Sequence, residues 1–144
     1  MTAQLDLEGP LPQGRLVIEA SAGTGKTYSL SALVARHVAE RKLAASSLLI
    51  VTFTRAAAAE LRDRTRRVLV SAVESLSTGV IPADQGWMVT LAHPDAIVQG
   101  ARLKALEAAV ASFDDATITT IHGFCQQALR QLGFRSGTPL EGEL

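Results

Sequence analysis

The chain has 144 residues with 14 basic and 14 acidic side chains, so its formal net charge is zero. That length suits one small domain or part of a larger one, and neutrality excludes a chain that holds nucleic acid by bulk charge; any such site must be a local patch. A single cysteine, Cys125, excludes an internal disulfide and an all-cysteine metal site, and fits a reducing cytoplasm.

Residues 1–14 read as an irregular lead-in, because Gly9-Pro10 and Pro12 block regular structure. They have neither the basic start nor the apolar stretch of a signal peptide. Residues 15–19, built around Leu16, Val17 and Ile18, predict a short buried strand. Ala20, Ser21, Ala22, Gly23, Thr24, Gly25, Lys26 and Thr27 follow it and open a helix over 25–41. Strand, small-residue turn, Lys-Thr and helix is the order of a P-loop that grips a nucleoside triphosphate. A turn without bulky side chains lets backbone N–H groups converge on phosphate oxygens, and the helix N-terminus adds partial positive charge. Lys26 then reaches the β- and γ-phosphates, and the Thr27 hydroxyl ligates Mg²⁺. These two are the candidate catalytic residues. Ala20 stands where the loop usually starts with glycine. Leu30, Leu33, Val34 and Val38 share one side of the helix, and His37 falls at the edge of that arc as a core-edge histidine.

The apolar run over 47–53 predicts a central parallel strand covered on both faces. A helix over 56–76 follows, with Ala58, Leu61, Thr65, Val68 and Leu69 on its apolar arc and Arg55, Arg62 and Arg66 in a stripe beside it. The stripe could run along a polyanion, but with Glu60 and Asp63 nearby it favours, by itself, a solvated face. Residues 77–95 read as a loop with one helical turn, in which Trp87 is a packing anchor. A helix over 97–112 turns Leu103, Leu106 and Val110 inward. A third strand at 117–121 and a helix at 123–132 complete the pattern, and the tail from 133 has no clear structure. No apolar run approaches the roughly 20 residues that span a bilayer, and there are no internal repeats.

Strands alternating with helices predict an α/β fold with a parallel sheet, whose ligands gather at the carboxyl ends of the strands. Three motifs sit there: the P-loop, Thr52-Phe53-Thr54-Arg55, and Thr120-Ile121-His122-Gly123. Thr52 and Thr54 offer hydroxyls suited to a phosphodiester backbone, and Phe53 could stack on a base. Alternatively the threonines cap the helix and Phe53 packs in the core; spacing alone leaves both open. His122 could contact a phosphate or a nucleotide strand, although a lone histidine usually does neither. Cys125 reads as a small buried apolar residue. His37, His93, His122 and Cys125 lack zinc-ligand spacing.

Taken together, the three motifs resemble superfamily 1 DNA helicases of the UvrD/Rep type, and within them the RecB family of helicase–nuclease subunits of exodeoxyribonuclease V. The stretches that carry the likeness are 18–27, 51–64 and 119–126, which look like motif I, motif Ia and the Thr-x-His motif of helicase domain 1A. It covers about residues 11–140. The resemblance implies a P-loop NTPase fold, a partial RecA-like domain that uses ATP and Mg²⁺ to step along single-stranded DNA. It places Thr52, Phe53, Thr54 and His122, with Arg55 beside them, on the DNA side. It also implies single-stranded or duplex-end DNA and RecC- and RecD-like subunits as partners, in double-strand break repair. The implied organisation is a lead-in over 1–14, a partial ATP-binding domain over 15–135 and a tail over 136–144 that ends before the family's Asp-Glu carboxylate motif. Asp114-Asp115 does not supply that motif, since it precedes the third strand; capping or a solvated turn is its expected role. The chain therefore reads as an N-terminal fragment that does not hydrolyse ATP alone. The alternatives are a small P-loop kinase and a non-catalytic nucleotide-binding remnant. A GTPase is excluded because the chain has no asparagine for an Asn-Lys-x-Asp base-reading motif.

Overall fold

A computed structural model describes residues 5–19 and 25–136. The elements are α1 (Lys26–Arg41), β1 (Leu49–Thr52), α2 (Arg55–Thr78), α3 (Ala96–Ala111), β2 (Thr117–Thr120) and α4 (Ile121–Ser136), with 3₁₀ turns at Ala45–Ser47, Gly86–Leu91 and Phe113–Asp115.

Local chemistry sets the helix ends. Thr54 caps α2, its Oγ1 accepting from Ala57 N–H at 3.1 Å, and Gly79 closes the helix in a left-handed conformation with its N–H on the Ser75 carbonyl. The Asp95 carboxylate accepts from the N–H groups of Ile97 and Val98 to start α3. The expected arcs point inward: Leu33, Val34 and Val38 of α1, Ala58, Thr65, Val68 and Leu69 of α2, and Leu106 of α3 are buried, while Leu103 and Val110 pack at the core edge. The buried Thr65 hydroxyl meets Ser31 Oγ across the α1–α2 interface at 3.5 Å. Trp87 anchors the 77–95 loop as expected, buried with Met88 and Leu91 in the same cluster. His37 is half-buried, and burial, with Arg41 adding to it, pushes its pKa below the ordinary histidine value.

β1 and β2 pair in parallel, with Ile50 opposite Ile118 and Thr52 opposite Thr120. Parallel partners need a long crossover, and residues 53–116 supply it through α2 and α3. α2 packs on one face of the sheet, where Ile50 and Ile118 enter the core.

Two expectations about the sheet do not hold. Residues 15–19 form no strand, and Leu16, Val17 and Ile18 are exposed, Val17 at 77%. A strand exists only through its ladder, and β1 and β2 ladder with each other alone among the described residues. Nor is β1 covered on both faces. Leu49 and Val51 are about half exposed, because α2 covers only the Ile50 side and α4 touches the sheet without burying them. Cys125 departs from expectation for the same reason: it is exposed, along with Phe124, Leu129 and Leu132, on the part of α4 that no described element covers. Residues 133–136, expected to lack regular structure, continue α4, and residues 137–144 of the tail and 1–4 of the lead-in lie outside the described residues.

Candidate nucleotide and nucleic-acid site

Five of the expected phosphate-loop residues, Ala20, Ser21, Ala22, Gly23 and Thr24, lie outside the described residues. The remaining three form the start of α1. Gly25 has φ +84°, the left-handed region that favours glycine. A Cβ there would meet nothing closer than Tyr28 Cβ at 3.9 Å, so the demand for glycine is conformational rather than steric. Its carbonyl accepts the first helical bond, from Ser29 N–H at 2.8 Å. Lys26 is exposed and Thr27 half-buried in the first turn. That turn has no acidic residue and no side-chain cap. The partial positive charge of a helix start without an acid beside it suits an anion such as a polyphosphate. Among the described residues no three His, Cys, Asp or Glu side chains could hold a metal ion. An Mg²⁺ ion would rest on the Thr27 hydroxyl and on phosphate oxygens.

The other two motifs meet. The ends of β1 and β2 lie side by side through the Thr52–Thr120 pair. Between α2 and the β2–α4 turn runs a groove of about 350 Å³, lined by Arg55 and Arg62 from one side and by Thr119, Thr120, His122 and Gln126 from the other. Ala58 and Ala59 leave it open on the α2 side. Thr120 Oγ1 accepts from Gly123 N–H at 3.0 Å and so starts α4. At Gly123 the demand is steric: a Cβ would lie 2.6 Å from Thr119 Oγ1 and 3.2 Å from Thr120 Oγ1. Only glycine lets the first turn of α4 sit this close to the strand end, which brings His122 to the groove.

Phe53 stands on the β1–α2 turn with 88% of its surface exposed, so it does not pack in the core. Thr54 takes the capping role that the sequence left open. Thr52 and Phe53 stay beside the groove rather than lining it. The arginine stripe divides. Arg62 donates to the Ala116 carbonyl at 3.2 Å, and the guanidinium groups of Arg62 and Arg66 lie 5.9 and 5.7 Å from the centre of the Phe113 ring. Both sit within 4 Å of Asp114 Oδ1, whose side chain is almost fully exposed. Such solvated pairs contribute little to stability, but they settle Asp114 as a partner of the stripe in a 3₁₀ turn. Arg55, free of that seat, is exposed at the groove. Sequence reading missed Gln126. The signal was available, since Gln126 is four residues from His122 and therefore on the same helix face.

The profile of the UvrD/REP helicase N-terminal domain matches residues 3–141. The chain belongs to that family. It is similar to the RecBCD enzyme subunit RecB of Mycolicibacterium smegmatis, 45% identical over 130 residues, covering 89% of this chain and 12% of the relative. It is likewise similar to RecB of Mycobacterium tuberculosis (strain CDC 1551 / Oshkosh), 40% identical over 143 residues, 98% of this chain and 13% of the relative. With RecB of Escherichia coli (strain K12) the identity is 38% over 143 residues, 92% of this chain and 12% of the relative. The chain thus spans 12–13% of the length of these relatives. The family match bears out the UvrD/Rep-type resemblance and does not favour the small-kinase alternative. In fold, the α/β chain with a parallel two-stranded sheet agrees with expectation. No helix among the described residues is long and apolar enough to cross a membrane.

Proposed function

We propose that this chain is the ATP-binding part of a RecB-like, ATP-dependent DNA helicase subunit acting in double-strand break repair and recombination. The observation that carries the reading is that Arg55 of the second motif and His122 of the third line one groove at the paired strand ends. In this reading Ala20 to Thr27 cradle Mg·ATP, with Lys26 offsetting γ-phosphate charge and Thr27 holding Mg²⁺. Thr52, Phe53, Thr54, Arg55 and His122 contact single-stranded DNA. The Thr54 Oγ1 accepts from the first turn of α2, which leaves its O–H to donate to a phosphate oxygen. Residues 15–135 form a partial RecA-like, P-loop NTPase domain, flanked by the lead-in 1–14 and the tail 136–144. RecC- and RecD-like subunits are the partners, duplex-end DNA is the substrate and the cytoplasm the setting. The acidic pair that positions the attacking water comes from another part of the complete enzyme.

Two substitutions test the two halves of the site separately. Lys26→Ala is expected to weaken Mg·ATP binding by at least about tenfold, roughly 1.4 kcal/mol, read by calorimetry on both proteins. Equal affinities would end the phosphate-loop assignment. Phe53→Ala in the complete enzyme is expected to cost about 1–3 kcal/mol of single-strand affinity if the ring stacks on a base. ATP affinity should stay nearly unchanged. Anisotropy of a labelled oligonucleotide reads the first quantity, and an unaltered oligonucleotide affinity would remove Phe53 from the DNA contact.

A further inference from the structure

Arg36 is buried in the middle of α1, with 3% of its surface exposed, and the helix alone does not require it. Its Nε donates to Glu40 Oε1 at 2.6 Å and its Nη2 to Glu40 Oε2 at 3.2 Å, a two-pronged pair one turn along the helix. Its Nη1 donates outward, to the carbonyls of Leu7 at 2.9 Å and Gly9 at 2.7 Å. The lead-in is shaped to receive it. Glu8 N–H donates to Asp6 Oδ1 at 2.8 Å, and a Cβ at Gly9 would sit 2.9 Å from Asp6 Oδ2. This tight turn aims two carbonyls at one guanidinium nitrogen. Leu11, just beyond, is buried.

A buried ion pair is weak support for stability, since apolar residues of similar volume often do as well. What the guanidinium adds is direction, because its planar fork fixes where its acceptors stand. The acceptors here belong to the chain that leads into the phosphate loop. The Gly9–Arg36 contact closes a stretch of chain that contains every residue from 20 to 27, and its other end is α1 itself, whose first turn holds Lys26 and Thr27. The helix that binds phosphate also grips the segment feeding the loop. Ordering that segment before the ligand arrives removes part of the entropy cost of binding.

We propose that Arg36 is a positioning residue for the nucleotide site: by pinning Leu7 and Gly9 to α1 it holds the chain entering the phosphate loop in its triphosphate-binding arrangement. The inference rests on the phosphate-loop reading above. The test uses the 144-residue chain, Mg·ATP calorimetry and hydrogen exchange. In the double variant Arg36→Met/Glu40→Gln the alkyl packing stays, no charge is left unpaired, and the carbonyl contacts are lost. Mg·ATP binding is expected to weaken by at least about fivefold, the lower end of coupling between linked sites. Exchange should rise over residues 5–19 while α2 and α3 keep wild-type protection. Wild-type affinity in a folded double variant overturns the proposal and leaves the phosphate loop standing. If the double variant does not fold, the wild-type chain decides by reciprocity. Saturating Mg·ATP must slow exchange over 5–14, and unchanged exchange there overturns the proposal. If Lys26→Ala binds Mg·ATP as tightly as wild type, the phosphate-loop reading fails and the proposal falls with it.

Discussion

The 144-residue chain on its own should bind Mg·ATP and leave it essentially unhydrolysed. Phosphoryl transfer is catalysed chiefly by positioning and by charge placed around the γ-phosphate. The strand ends where a carboxylate pair would be needed read Phe53-Thr54-Arg55 and Ile121-His122-Gly123, and neither holds an acid. Asp114 precedes β2 and faces Arg62 and Arg66. An arginine reaching in from a second domain typically contributes about 10³–10⁵ in rate, and turnover should fall short of a complete helicase by at least that order. A phosphate-release assay with and without single-stranded DNA, and with Lys26→Ala as control, measures it. Robust, Lys26-dependent, DNA-stimulated turnover would mean that the chain carries a catalytic apparatus this reading does not contain.

The largest stability loss is expected at Phe113. Its ring is 1% exposed, lies in the main apolar cluster and supports the guanidinium groups of Arg62 and Arg66. Phe→Ala at such a site costs about 3–5 kcal/mol, against a total of about 5–15 kcal/mol for a typical domain. Phe53→Ala is the natural comparison: the same residue type, 88% exposed, for which a change within about 0.5 kcal/mol is expected. Urea melts of the two variants decide. A Phe113→Ala loss no greater than that of Phe53→Ala would contradict the core described above.

The three helices of the core were legible because their apolar residues recur at helical spacing and their ends carry recognisable caps, Gly25, Thr54 and Gly79. The strands were legible as apolar or β-branched runs, but their surroundings were not. An apolar run says that a strand wants cover and does not say which element provides it, so the expected burial of Leu49, Val51 and residues 15–19 misled. Cys125 misled likewise, since a helix reveals its apolar face and not whether that face is covered. Arg55 and His122 could be placed at strand ends from the sequence, but their shared groove depends on the Thr52–Thr120 register and on the close approach at Gly123, neither of which has a local signature. Arg36 was invisible for a different reason. Its acceptors are backbone carbonyls, which every residue possesses.

The parallel register also sets a timetable. Leu49 pairs with Thr117, so β1 is complete 68 residues (117 − 49) before its partner exists. At roughly 5–20 residues per second of synthesis, that interval is about 3–14 s. During it Leu49, Ile50 and Val51 have no ladder, and their shelter is whatever α1 and α2 provide. Contacts this distant form late because the loop must be closed before they are rewarded. The helices must therefore assemble first, with the sheet as the closing step, and the nascent β1 is the stretch on which a chaperone would have most reason to act.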